Sequence, residues 1–168
     1  MKVLIAVADK HLSKVIVQFV KEHPWSEPTH FKVLHALEPF PSLGGKATQG
    51  TRRLVDEDRK LGLKMVELVS AELKKSFPQA QIENLVVSGA ANQAILECAE
   101  AWQADLIVMG SHCGTLADRM ILGSVPLSVA PQAHCSVAIV RLNQPKALQF
   151  EFSEVDLPEQ IREFTPAE

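Results

Sequence analysis

The stretch ADLIVMGSHCGTLADRMILGS, residues 104–124, decides the fold of this chain. Its apolar run from Leu106 to Met109 contains two β-branched residues, as is typical of a strand covered on both faces in a parallel sheet. Gly110 ends the predicted strand, and a helix is predicted to begin near Pro126, because proline fits the first turn of a helix.

Ser124 is the predicted N-cap of that helix, since serine is a favoured capping residue. A helix beginning here would direct unpaired N–H groups and the positive end of its dipole at the space beyond the strand. Phosphate is the usual occupant of such a position. The stretch therefore predicts an anion site where the strand ends.

The rest of the chain repeats this alternation of strand and helix. Apolar runs predict strands over 3–8, 31–37, 82–87, 106–109 and 136–140, and helical periodicity predicts helices over 13–22, 51–76 and 91–102, with a fourth from Val125. Such alternation predicts an α/β fold with a five-stranded parallel open sheet flanked by helices and joined by right-handed crossovers. Ligands of open parallel sheets bind beyond the carboxyl ends of the strands, where strand order reverses.

Composition excludes several other classes of protein. The chain has 168 residues, 46% of them hydrophobic, which is enough for one domain with a sizeable core. Its net charge is −3 and its basic residues are scattered among acidic ones, so a nucleic-acid partner is not expected. No apolar run approaches the ~18 residues that span a membrane, and the first residues acquire charge too quickly for a signal peptide. We therefore expect a cytoplasmic protein with no membrane partner.

Three cysteines, Cys98, Cys113 and Cys135, are irregularly spaced. This pattern favours reduced thiols over a disulfide framework or a zinc site. No metal site is therefore predicted from the cysteines.

Residues 104–124 resemble the glycine loop of the universal stress protein family, in which G-x-x-G, nine residues and G-[S/T] follow the fourth strand. Gly110, Gly123 and Ser124 match that spacing, whereas Cys113 occupies the second glycine position and Gly114 follows it. The flanking segments SGAANQAILECAEAWQADLIVMGSH and HCSVAIVR are also similar to the family. The resemblance implies a universal stress protein-like domain over 1–142, followed by an acidic C-terminal extension over 143–168.

The resemblance also implies where a nucleotide would bind. Ala36 matches a position that lines the adenine pocket through its backbone, Met109 and Gly110 match positions beside the ribose and phosphates, and Val125 offers an N–H group. Asp9 matches an aspartate that contacts the nucleotide or its metal if the alignment is shifted by one residue. Helix capping is an equally good interpretation of Asp9. His35 is expected to be a strand residue rather than a ligand.

Cys113 leaves three alternatives open, because a cysteine side chain hinders both positive φ and close approach of the backbone. Gly114 takes over the role of the missing glycine, or nucleotide binding is weakened or lost, or the thiol has its own chemistry near a helix N-terminus.

The resemblance implies an adenine-nucleotide-binding stress-response module that takes ATP or AMP, with or without Mg²⁺. The alternative is a nucleotide-free interaction protein of the same fold. No catalytic constellation is recognisable, so at most weak ATP hydrolysis is expected. Strand 136–140 is a predicted apolar sheet edge, and the family often dimerises through this strand, so we expect a homodimer. The alternative is that the extension over 143–168 covers that edge.

Overall fold

The fold consists of five strands and four helices. A computed structural model describes residues 1–38, 49–111 and 123–141. In chain order the elements are β1 (Lys2–Ala6), α1 (Lys10–Glu22), β2 (His30–Leu37), α2 (Gln49–Ser76), β3 (Gln81–Ser88), α3 (Ala91–Trp102), β4 (Leu106–Ser111), α4 (Ser124–Val129) and β5 (Ser136–Arg141).

The five strands form one parallel sheet in the order β3-β2-β1-β4-β5. This confirms the predicted fold class. The register pairs Ile5 of β1 with Val33 of β2 on one side and Val108 of β4 on the other. β1 therefore lies at the centre of the sheet, and β3 and β5 lie at its edges.

Alternate residues of the central strand β1 are buried on opposite faces of the sheet. Val3 and Ile5 pack with apolar residues of α1 and α2, whereas Leu4 and Ala6 pack with apolar residues of α3 and α4. Val3, Leu4 and Ile5 are fully buried. The near-continuous apolar sequence of β1 thus follows from having helices on both faces.

Several predicted boundaries differ from the observed ones: β1 ends at Ala6 rather than at residue 8, α1 begins at Lys10 rather than at residue 13, and two further differences lie at the predicted anion site. β4 continues through Gly110 to Ser111, because these residues pair with Val140 and Arg141 of β5. Gly123, not Ser124, is the N-cap of α4: its φ of −54° and ψ of 160° are not helical, and its carbonyl accepts the Leu127 N–H at 3.1 Å. The helix therefore begins one residue earlier than predicted.

Other predictions fall outside the described residues. These include the roles of Cys113 and Gly114 and the character of the extension over 143–168. Within the three described ranges, no helix is both long enough and apolar enough to cross a membrane.

Candidate functional site

A cavity opens where the order of the strands reverses. The chain leaves β1 toward β2 on one side, whereas β4 lies on its other side, so the connections diverge at the carboxyl ends of these strands. Open parallel sheets bind ligands in such a crevice.

The cavity has a volume of about 340 Å³ and is lined by the ends of β1, β2 and β4 together with parts of α1, α3 and α4. It brings together six of the residues predicted from the sequence, namely Ala36, Met109, Gly110, Gly123, Ser124 and Val125. Residues 36 and 123–125 are far apart in the chain and come from different elements. The fold, rather than local sequence, places them around one cavity.

Asp9 has a different position. It is the N-cap of α1, and its Oδ1 accepts hydrogen bonds from the N–H groups of His11 at 2.8 Å and Leu12 at 3.0 Å. Asp9 is absent from the described lining of the cavity. Its carboxylate therefore has the helix-capping role that the sequence left as an alternative.

The two described glycines of the loop motif differ in their surroundings. A Cβ built on Gly110 would lie 2.8 Å from Leu12 Cδ2, so this glycine allows α1 to approach β4. Among the described residues, a Cβ built on Gly123 would meet only Pro126 Cδ, at 3.8 Å, which is an ordinary contact. The φ of Gly123 is also open to any residue. Among the described residues, therefore, nothing in packing or backbone conformation requires glycine at position 123.

Three polar residues of the cavity were not among the predicted site residues. Ser111 is 1% exposed, and its Oγ accepts the Gly123 N–H at a long 3.5 Å. His35 places its Nδ1 2.9 Å from the Val7 carbonyl, and Glu38 lies in the lining beyond the end of β2. Their position at strand ends is the signal that could have found them, because carboxyl ends of strands form such sites.

The described lining combines many apolar side chains with few polar groups, as is usual for small-molecule sites. Its ionisable side chains are His35 and Glu38. In the part of the chain that the structure describes, no group of three His, Cys, Asp or Glu residues could hold a metal ion. Backbone N–H groups in the first turn of α4 and the hydroxyls of Ser111 and Ser124 are donors for an anionic or hydroxylated ligand.

Comparison with known proteins identifies the class that this fold and crevice define. The model of the universal stress protein family matches residues 1–141. Universal stress protein A homolog 2 of Coxiella burnetii is 31% identical over 142 residues, which cover 84% of this chain and 94% of that protein. The chain belongs to the universal stress protein family.

Solved structures show the same fold. A universal stress protein family protein from Arabidopsis thaliana with AMP bound has a TM-score of 0.63 and 16% identity, with 90% of this chain and 99% of that chain covered. A universal stress protein in complex with cAMP has a TM-score of 0.60 and 24% identity, with 83% of this chain and 96% of that chain covered.

Proposed function

We propose that this protein binds an adenine mononucleotide, ATP or AMP, in the cavity between β1, β2 and β4 and acts as a regulatory module in a stress response. The observation that carries this proposal is the meeting of Ala36 with Gly123, Ser124 and Val125 around one cavity. The cavity thus combines apolar lining residues near Ala36 with backbone N–H groups at the start of α4. A nucleotide likewise combines an apolar base with anionic phosphates.

The proposed orientation places the adenine near Ala36 and the phosphates near Gly123 and Ser124. Met109 and Gly110, at the end of β4, would lie beside the ribose. The volume of about 340 Å³ is at the small end of the range for ligand cavities, about 300 to 1,000 Å³. Gly123 supports this orientation, because no contact or backbone angle in the described part of the chain accounts for glycine at this position.

Relatives lend support to the choice of ligand. The Arabidopsis thaliana relative is bound to AMP, and the second structural relative is bound to cAMP. These two ligands share an adenosine with phosphate attached. An adenine nucleotide is therefore the first ligand to test here.

We infer binding rather than efficient catalysis. Hydrolysis needs a nucleophile or base held by an orienting partner near the reacting phosphate. In the described lining, the ionisable side chains are His35 and Glu38, which flank the proposed adenine position at Ala36 in the chain, whereas the groups near the proposed phosphate position are backbone N–H groups and hydroxyls. Such donors bind phosphate without supplying a base.

The edge position of β5 also supports homodimerisation through this strand. Residues Val137 to Val140 are only partly buried, and β5 pairs with β4 on one side. In the described part of the chain no strand pairs with the other edge of β5, and an apolar edge favours pairing with a second copy. Sedimentation at micromolar concentration should show twice the chain mass of 18.5 kDa, and a species of 18.5 kDa alone would contradict dimerisation.

Calorimetric titration of the full chain with AMP, and with ATP in the presence and absence of Mg²⁺, tests nucleotide binding. Gly123→Val should abolish binding while the circular dichroism spectrum stays near that of the wild type. Leu127→Val is the matched control, because Leu127 lies on the same helix, is 52% exposed and is absent from the cavity lining. Unchanged affinity in Gly123→Val would eliminate the proposed site. A wild-type protein that binds neither nucleotide would favour the nucleotide-free interaction protein.

A further inference from the structure

The imidazole of His35 is held by the end of the central strand. Its Nδ1 lies 2.9 Å from the carbonyl oxygen of Val7, which follows β1 directly. A carbonyl oxygen can only accept a hydrogen bond, so Nδ1 carries the proton and donates it. This bond fixes both the tautomer and the direction of the ring.

Gly62 of α2 makes room for the same ring. A Cβ built at position 62 would lie only 2.7 Å from His35 Cδ2. A side chain there would force the ring or the helix to move. The ring is therefore confined between α2 and the chain that leaves β1.

The His35 hydrogen bond orients the peptide between Val7 and Ala8. The Val7 N–H donates to the Leu34 carbonyl at 2.9 Å, so the N–H and the C=O of Val7 both bond to β2. The Val7–Ala8 peptide is trans, since the cis peptide of the described chain is Glu27–Pro28. The C=O and N–H of a trans peptide point in opposite directions. The Ala8 N–H therefore points away from β2.

Ala8 lines the cavity. Within the described ranges, its N–H makes no hydrogen bond. A backbone donor without a described partner thus stands at the cavity wall, on the opposite side of its peptide from the His35 bond. Gly110 and Ser111 of β4 line the same cavity.

We propose that His35 is a positioning residue: by holding the Val7 carbonyl, it orients the Ala8 N–H to donate to an oxygen of the ribose-phosphate part of the bound nucleotide. This inference rests on the proposed function, because the acceptor belongs to that ligand. Gly62 is the residue that permits it. His35 acts through the Val7–Ala8 peptide and not through a contact of its own with the ligand.

Two substitutions at position 35 separate positioning from simple packing. His35→Leu fills the space without a donor, whereas His35→Asn retains an N–H near the position of Nδ1. We expect His35→Leu to weaken AMP binding about tenfold in calorimetry and His35→Asn to remain within about threefold of the wild type. Gly62→Ala keeps the imidazole but displaces it, and should weaken AMP binding while the helix is retained.

The amide signal of Ala8 in ¹H–¹⁵N spectra gives a readout that does not depend on the ligand. In the nucleotide-free protein its displacement from the wild-type position should be larger in His35→Leu than in His35→Asn, because both variants lose the imidazole ring current but only His35→Asn keeps a donor to the Val7 carbonyl. Equal AMP affinity in His35→Leu and wild type, or equal losses in His35→Leu and His35→Asn, would overturn the positioning role while leaving the proposed function intact. Wild-type protein that binds no AMP would overturn both.

Discussion

Gly110 of β4 lies directly against Leu12 of α1. A Cβ on Gly110 would stand 2.8 Å from Leu12 Cδ2, 3.1 Å from Cδ1 and 3.2 Å from Cβ. Leu12 is 2% exposed and belongs to the core on that face of the sheet, and it also lines the cavity, so an added methyl group would displace its side chain. Packing against Leu12 thus favours glycine at this position of the loop motif, whatever the cavity binds.

Gly110→Ala should destabilise the fold through this contact. Overpacking a core by one methyl group costs about 1 to 3 kcal/mol, which urea denaturation would measure as a lower free energy of unfolding. In a Leu12→Ala background the same substitution should cost much less, because the obstructing side chain has been removed. Additive losses in this double-mutant cycle would show that the Leu12 contact is not the cause.

Gly123→Ser should leave the stability of the fold unchanged but weaken nucleotide binding. A Cβ fits at this position, and serine as N-cap can accept a hydrogen bond from the Val125 N–H, so the free energy of unfolding should stay level or rise by a few tenths of a kcal/mol. The added side chain enters the proposed phosphate position, so AMP affinity should fall about tenfold or more. A variant that loses stability and keeps its affinity would refute the assignment of Gly123 to the ligand.

Ser124→Ala should have little effect on stability, because Ser124 is the first residue of α4 and makes no capping hydrogen bond. Loss of a true serine cap costs about 0.5 to 2 kcal/mol, whereas substitution at an exposed position usually changes stability by less than about 0.5 kcal/mol. The change in stability measured by thermal denaturation distinguishes loss of a cap from substitution at an exposed position. A loss in the capping range would restore Ser124 as the N-cap.

Burial raises the pKa of the Cys98 thiol, the nearby Lys32 ammonium opposes this effect, and Glu83 adds to it. Since the thiolate is the reactive form, iodoacetamide should alkylate Cys98 more slowly at pH 8 than it alkylates free cysteine. Lys32→Met should slow the reaction further, and Glu83→Gln should speed it, as followed by peptide mass spectrometry. Faster alkylation in Lys32→Met would show that access, rather than the pKa, controls the reaction.

The same raised pKa has a consequence for stability. The folded protein holds the Cys98 proton more tightly than the unfolded chain does. The resulting contribution to the free energy of unfolding is fully present below the thiol's pKa in the unfolded chain and is lost as the pH rises through its pKa in the folded protein. Cys98→Ser should therefore make the free energy of unfolding less sensitive to alkaline pH.

The sequence predicted the sheet because its signals are local. Apolar runs such as that of β1 and helical periodicity such as that of α2 are properties of short segments. The family resemblance then identified positions such as Ala36 and Gly123 that the fold brings to one cavity.

Other features depend on contacts between distant residues and have no local signal. Gly62 and His35 are separated by 26 intervening residues, and only the packing of α2 on β2 explains why one is glycine. The contact between Leu12 and Gly110 likewise joins residues that are far apart in the sequence. The N-cap of α4 was misplaced because Gly123 and Ser124 are both acceptable caps, and the backbone angles decide between them.

Titration of ¹⁵N-labelled protein with AMP, followed by ¹H–¹⁵N spectra, tests whether an adenine nucleotide binds in the cavity between β1, β2 and β4. We expect saturable shifts that concentrate at amides lining this cavity, including those of Ala8, Ala36, Gly110, Gly123 and Val125. The amides of Cys98 and Trp102, which line a separate groove beside α3, should stay unchanged. No saturable shift, or shifts that concentrate in that groove, would contradict nucleotide binding in the cavity.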